Sequence, residues 1–488
     1  MPDAAAVLAP IEQLAPRAME NWHIPGMALA LLLPGQEPIV RTWGVRDTLT
    51  REPVTARTQF HLCSLTKSIT AAGLLLLMRE RKLPLTTKVR DLLPEFRLSD
   101  AHVTEHVTVR DLLCHASGLP RHDKLWTPGD LPWTALGERM RHLAFSAELR
   151  ERFQYNNLGY VVLAAIVEKL AGTKWETTTN ETLLTPLGFR DFGWGVDGLA
   201  AAADHAHPHV REGSTAIRAA RAWPAPNPAG GLNASIEDTA RWLRFLADGA
   251  LPGVDAEHTR AVLQEMMTPW MYQGTSPHAE IGASHYGLGV ACERYRMRRH
   301  IAHGGSMPGW NTVFSLLPDE GIGVAVLTNR DPSPIPMMLA FAAYDAFLGL
   351  EPVDWYARFA KAREEFLAKE QAEREEKKGR VPPQAARPLA DYAGRYTSPA
   401  YGTFEVEVQG NQLHWSWRGL AGTLRSEGHD RFALADDPRH QEMLRTTFLD
   451  DSAGRIDRAA FALEDGIPDV VFRRELSLRS PPDPASPS

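Results

Sequence analysis

Near residue 355 the chain changes character, and that change limits its architecture more than any single motif does. Before it, helical patterns alternate with short strand-like runs and many Gly/Pro turns, as in one large mixed α/β domain. From Trp355 to Arg380 the pattern is charged and helical, with Glu365/Lys369 and Glu373/Lys377 at the favourable i,i+4 spacing. Phe359 and Phe366 give this stretch one thin apolar stripe; the repeat is too short for a coiled coil, so a connecting helix is expected. After Pro382 and Pro383 the chain reads as all-β. Phe404, Val406 and Val408 alternate with polar residues, Gly410-Asn411 supplies a turn, and Leu413, Trp415 and Trp417 alternate on the way back. Further strand candidates at Arg431 to Ala435, Thr446 to Leu449, Ala459 to Leu463 and Val470 to Leu476 imply a barrel or sandwich of roughly 100 residues. A length of 488 residues also exceeds what one core normally supports. The expected division is therefore a mixed domain over 1–354, a helical linker over 355–384, a β domain over 385–479 and a disordered Pro/Ser tail over 480–488.

A net charge of -7 over this length, with no dense Lys/Arg stripe, argues against nucleic acid as the main partner. The first residues lack a basic region followed by an unbroken apolar core, and Pro25, Gly26 and Pro34 bracket the next apolar stretch. The runs Met27 to Leu33 and Leu74 to Met78 are too short to span a bilayer. No signal peptide, no membrane association and a cytoplasmic location are expected. Cys63, Cys114 and Cys292 are too few and too scattered for a disulfide framework, which fits a reducing compartment.

Within the mixed domain, Ser64 and Lys67 are spaced i,i+3 at the start of a strongly apolar helical run from Ile69 through Met78 that Pro84 ends. That spacing places a hydroxyl and an amine on one helix face, and a serine attacks a carbonyl only when a neighbour takes its proton. Cys63 beside Ser64 is another potential nucleophile, but a lone cysteine is ordinarily a small buried hydrophobe. Tyr155, Asn156 and Asn157 stand immediately before an apolar helix from Leu158 to Leu170, where they can face a cleft or simply cap the helix. His303 precedes Gly304 and Gly305 on what reads as an antiparallel pair, where glycine lets backbone approach a ligand or another strand closely. His285 with Gly287 repeats that fragment. His205, His207 and His209 alternate, as a metal site or a surface strand would; no carboxylate or cysteine stands at ligand spacing, so the surface strand is expected. His102 and His106 flank Glu105 in a Val/Thr-rich stretch unsuited to the helix a zinc motif needs. Trp126, Trp133 and Trp310 can line a groove or pack in the core.

Taken in order, Ser64/Lys67, Tyr155/Asn157 and His303/Gly305 resemble the motifs of the serine β-lactamase and penicillin-binding-protein superfamily. The chain looks most like its class C-like branch of family VIII carboxylesterases, D-aminopeptidases and D-alanyl-D-alanine carboxypeptidases. The segments around Ile24 to Gly35, Asp111 to Pro120 and Asn227 to Leu243 resemble family segments too, so the likeness runs from about residue 10 to 350. The resemblance implies an α/β (α+β) fold: an antiparallel sheet flanked by helices with an inserted helical subdomain, followed by a lipocalin-like β-barrel. It implies a serine hydrolase acting on a small ester, amide or peptide, without metal or cofactor. Ser64 would form the acyl-enzyme, Lys67 and Tyr155 would share the acid/base work with the first base left open, and the backbone N–H groups of Ser64 and Ser306 would form the oxyanion hole. Asn157, Gly304, Gly305 and Trp310 would meet substrate, and His303 would tune Tyr155. Where β-lactamases carry a Lys-Thr-Gly cation, His303 is largely neutral at pH 7, so esters or amides are expected ahead of β-lactams. A weak β-lactamase or carboxypeptidase, and an idle binding protein, are the alternatives. Assembly into a homo-oligomer stays open.

Overall fold

The computed structural model describes residues 3–212, 215–219, 224–377, 383–435 and 444–475. The expected tail 480–488 and the end of the expected linker, 378–382, lie outside the described residues. The chain divides into two compact units, 1–141 with 145–376, and 142–144 with 377–488.

In the first unit every residue of β1 (Gly26–Leu32) is buried, although an antiparallel strand usually keeps one face wet. The reason is its position. An eight-stranded antiparallel sheet is formed by β1, β2 (Ile39–Gly44), β3 (Met271–Thr275), β4 (Ala283–Tyr286), β5 (Ala291–Tyr295), β6 (Arg298–Met307), β7 (Trp310–Leu317) and β8 (Ile322–Thr328), in the order β2-β1-β8-β7-β6-β5-β4-β3. The central strands β1, β7 and β8 are covered on both sides. Helices α1 (Ala4–Trp22) and α5 (Ile335–Leu348) bring Val7, Ile11, Met338 and Leu339 into one apolar cluster with Leu29, Leu31, Val324 and Val326. Against the opposite face lies α4 (Ile236–Asp248), whose Leu243 would meet a Cβ on Gly323 at 3.0 Å, so glycine there admits the helix. Each Leu or Ile buried fully in this way contributes about 1.5–3 kcal/mol.

Between β2 and β3 the chain inserts its helical part, including α2 (Thr66–Glu80) packed on α3 (Asn157–Ala171). This is the arrangement of sheet and inserted helices expected from the sequence. The stretch expected as a connector is helix α6 (Trp355–Lys377), and it belongs to the first unit instead. Trp355 is buried against Phe341, Phe359 stacks on Trp355, and Arg358 pairs with both oxygens of Glu280 at 2.9 Å. The sequence around His102 also departs from expectation. Ala101–His106 is a short helix because Asp100 caps it, its carboxylate accepting the Val103 N–H at 2.9 Å.

The second unit is a closed eight-stranded barrel running in sequence order from Gly394–Ser398 to Val470–Arg474, closed by the pairs Tyr396↔Arg474 and Thr397↔Arg473. The expected hairpin is present in register, with Phe404 opposite Trp417, Val406 opposite Trp415 and Gly410 turning at φ 61°. Phe404, Trp415, Trp417, Phe432, Phe448, Phe461 and Phe472 are all buried and fill its interior. Among the described residues no helix is long and apolar enough to cross a membrane.

Candidate active site

The approach to Ser64 is held on both sides before the helix begins. The strand pair Phe60↔Ala234 precedes it, the Leu62 N–H donates to the Leu232 carbonyl at 2.8 Å, and the Leu62 carbonyl accepts from Thr312 Oγ1 on β7 at 2.8 Å. Cys63 then takes φ 51°, a left-handed conformation rare outside glycine. A 3-10 turn over Cys63–Leu65 leads directly into α2. Cys63 and Leu65 are buried while Ser64 keeps part of its surface, so the turn presents one hydroxyl. Burial pushes the Cys63 thiol upward, which keeps it protonated and unreactive.

Lys67, one turn on, is 0% exposed. Its Nζ donates to Ser64 Oγ at 3.2 Å, to Asn157 Oδ1 at 2.7 Å and to the Ala229 carbonyl at 2.7 Å. None of these acceptors is charged. Burial, reinforced by the Arg121 guanidinium and opposed by Asp123, therefore holds the ammonium well below its ordinary range and favours the neutral amine.

Asn157 is the first residue of α3, oriented by the Asn156 side chain, which accepts the Gly159 N–H at 2.8 Å. Its Nδ2 donates to Asp123 Oδ1 at 2.9 Å, and a carboxylate only accepts, so the amide oxygen must face Lys67. Tyr155, half-buried, lies with its ring 4.8 Å from Lys67 Nζ. Burial pushes this phenol upward against the pull of the nearby Arg121 guanidinium, so it rests protonated. The Ser64 hydroxyl and the Tyr155 ring thus both lie beside the Lys67 amine.

On β6, His303 is buried and its neighbours Gly304 and Ser306 are exposed. The two glycines differ. A Cβ at 305 would meet Leu62 O at 2.5 Å, Thr312 Oγ1 at 2.5 Å and Cys63 Cβ at 2.8 Å, whereas a Cβ at 304 would meet nothing within 4 Å. Gly305 is what allows the strand to approach the serine turn. His303 does not meet Tyr155 as expected. Its Nδ1 donates to the Gly304 carbonyl at 2.7 Å, leaving Nε2 to accept from the Tyr286 hydroxyl at 2.8 Å. Burial above all lowers it to about 3, so the imidazole is neutral at any ordinary pH. Trp310 also stands apart from its expected role. It is 1% exposed and packs against Phe60 and His61, supporting the turn from behind rather than meeting a ligand.

Three functional neighbours were not singled out in the sequence. Asp123 gathers Asn157, Trp126 Nε1 at 2.9 Å and Arg121 Nε at 2.6 Å. Tyr286 lies in the His285–Gly287 fragment, and its role emerges only from register: Tyr286 faces Ala291, which faces Ala302, beside His303. His115, inside the segment Asp111 to Pro120, tilts its ring 4.4 Å from Tyr155 and accepts the Asn156 N–H at 3.1 Å. Next to this centre, Trp126, Trp133, Trp194, Pro226 and Asn227 line a cavity of about 280 Å³.

The remaining histidines have other occupations. His209 bonds Asn329 and Thr48, His205 bonds the Ala202 carbonyl, and His207 lies 3.9 Å from Asp47. The exposed His102 and His106 stack on each other at 4.3 Å. Among the described residues no group of three His, Cys, Asp or Glu side chains could hold a metal ion.

Comparison with known proteins bears on these groups. The family model described as Beta-lactamase matches residues 11–346, and a domain of unknown function, DUF3471, matches 378–474. The unguisins hydrolase ungD' of Aspergillus campestris is 26% identical over 80% of this chain and 76% of its own. Penicillin-binding protein 4 of Amycolatopsis lactamdurans is 28% identical over 63% of this chain and 81% of its own. Among solved structures, the octameric penicillin-binding protein homologue of Pyrococcus abyssi superposes with a TM-score of 0.61 at 23% identity, covering 96% of this chain and 100% of its own.

Proposed function

The chain belongs to the beta-lactamase family, a family of serine hydrolases, and from that premise we propose that it cleaves small esters or amides, peptides included, through an acyl-enzyme on Ser64. The observation that carries this reading is Lys67: fully buried, bonded to no carboxylate, and 3.2 Å from the Ser64 hydroxyl. A neutral amine there takes the serine proton as Oγ attacks the carbonyl. Backbone N–H groups of Ser64 and Ser306 receive the oxyanion as the carbonyl bond opens. Tyr155, protonated at rest and beside Lys67, gives its proton to the departing alkoxide or amine and recovers one through Lys67. Water then attacks the ester formed on Ser64 and releases the acid. Asn157 positions Lys67, Gly304 opens the strand edge to substrate, and Gly305 sets the distance between strand and nucleophile.

The neutral His303 supports esters and simple amides over β-lactams, because no permanent cation stands at its position to receive a substrate carboxylate. One relative is named as a hydrolase, which fits a hydrolytic reaction. The octameric homologue supports self-assembly of this chain as well, a matter for light scattering on the purified protein.

A fluorophosphonate probe, followed by p-nitrophenyl esters, D-amino-acid amides and a chromogenic cephalosporin, tests the whole reading. Wild type should be labelled and turn over an ester or an amide, and Ser64→Ala should do neither. If wild type is inert to the probe and to all three substrates, the reading is wrong. Cephalosporin turnover well above that of esters would overturn the argument from His303.

A further inference from the structure

Arg330, immediately after β8, is 5% exposed, and among the described residues its guanidinium has neither a hydrogen-bond nor an ion-pair partner. A buried charge without a partner is unfavourable, and proteins keep one where something else completes it. Its neighbour Asp331 is already committed, accepting from the Arg211 and Gly309 N–H groups at 2.8 Å each. The Arg211 guanidinium is likewise taken, paired with both oxygens of Glu370 at 2.9 and 2.8 Å. Arg211, Arg330 and Arg363 line one cavity of about 370 Å³ with Asp331, and once Glu370 is set against Arg211 one cation is left over. Burial pulls Arg330 below the ordinary guanidinium range, opposed by the Asp331 charge and reinforced by repulsion from Arg211 and Arg363. The rest of the wall is apolar: Trp22 of α1, Pro332 and Pro334 after β8, and Phe359 and Phe366 of α6. None of these residues is among the hydrogen-bond partners given above for Ser64, Lys67, Asn157 or His303.

We propose that this cavity binds a monoanionic carboxylate carrying an aryl or alkyl group, held by Arg330 at its head and by Trp22, Phe359 and Phe366 along its body. A planar guanidinium matches a carboxylate through two parallel N–H bonds, and a single surplus charge suits a monoanion. The volume falls in the range of small-molecule sites. Phe366, 61% exposed on the surface of α6, forms the rim, and a ligand would cover it.

Calorimetric titration of the full chain with phenylacetate, octanoate, neutral phenylacetamide and inorganic phosphate tests the proposal. Wild type and Ser64→Ala should bind the two carboxylates equally well, which separates this cavity from the serine site. Arg330→Met should weaken binding at least tenfold, and in the absence of ligand its melting temperature should equal or exceed that of wild type, because an unpaired charge has been removed. Phe366→Asp, on the exposed rim where folding is not at stake, should weaken carboxylate binding similarly. Absence of carboxylate binding overturns the proposal, as does binding unaffected by Arg330→Met and Phe366→Asp. Equal affinity for phenylacetamide or for phosphate overturns the ligand class.

Discussion

Replacing Asp123 by asparagine removes an anion near Lys67 while leaving an oxygen to accept from Asn157 and Trp126. The bonds from Lys67 to Asn157 and from Asn157 to Asp123 are 2.7 and 2.9 Å. Adding ~2 Å across the carboxamide puts the lost charge about 7 Å from Nζ, worth about 2.4 kcal/mol at an effective dielectric near 20. That corresponds to nearly two pH units, and the partial exposure of Asp123 reduces it to about one. The sign follows from the chemistry. The carboxylate favours the ammonium, so its removal lowers the Lys67 pKa still further. A base must be neutral to act, so activity is present above its pKa and lost as pH falls through it. The acid limb of kcat/KM for a p-nitrophenyl ester should therefore move about one unit toward lower pH in Asp123→Asn. Arg121 acts with the opposite sign, so Arg121→Gln should move the same limb toward higher pH. Limbs that stay in place in both variants, or that move the same way, would refute Lys67 as the titrating base.

The two glycines of β6 should answer differently: Gly305→Ala forces the strand away from Leu62 and Cys63 and should cost about 100-fold in kcat, whereas Gly304→Ala, with open space around it, should stay close to wild type in the same assay. Tyr286→Phe removes the donor that His303 Nε2 accepts from and leaves a buried acceptor unsatisfied, so chemical denaturation should show a loss of about 1–3 kcal/mol. His303 and His61 are held neutral by burial, at about 3 and about 4. Each binds a proton on unfolding below pH 6.5, so stability should fall as pH drops from 6.5 toward 4, by about 1.4 kcal/mol per unit for each site. His303→Gln should remove one site's share of that slope in denaturant titrations at several pH values.

What the sequence revealed and what it hid divide along a physical line. Ser64 and Lys67, or Asn157 and its helix, are neighbours along the chain, so helical spacing and capping were enough to place them. The three groups came together through the likeness of their motifs to a known family, which carried the sheet and the inserted helices as well. The partner of His303 was misjudged because Tyr286 reaches it across two strand registers, which no local pattern encodes. Trp310 was given to the substrate by the family likeness, which sets it just after the His303 triplet, whereas every residue of β7 is buried. The His102 helix was missed although Asp100 stood there as its cap, and the charged helix was taken for a connector because one tryptophan at its start gave little hint of the burial it finds.

The pairing of β1 with β8 has a consequence for how the chain comes to be folded at all. Met27 faces Thr328 and Leu32 faces Gly323, so the partners are separated by about 300 residues, a span that makes closure slow. At ribosomal speeds of ~5–20 residues per second, the strand waits about 15–60 s after synthesis before its partner exists. During that time its seven core residues have only β2 to pair with. The barrel has no comparable delay, since each of its strands pairs with the next and only the pairs Tyr396↔Arg474 and Thr397↔Arg473 join its ends. Any shortened version of the catalytic unit that stops before Thr328 leaves one edge of its most apolar strand bare.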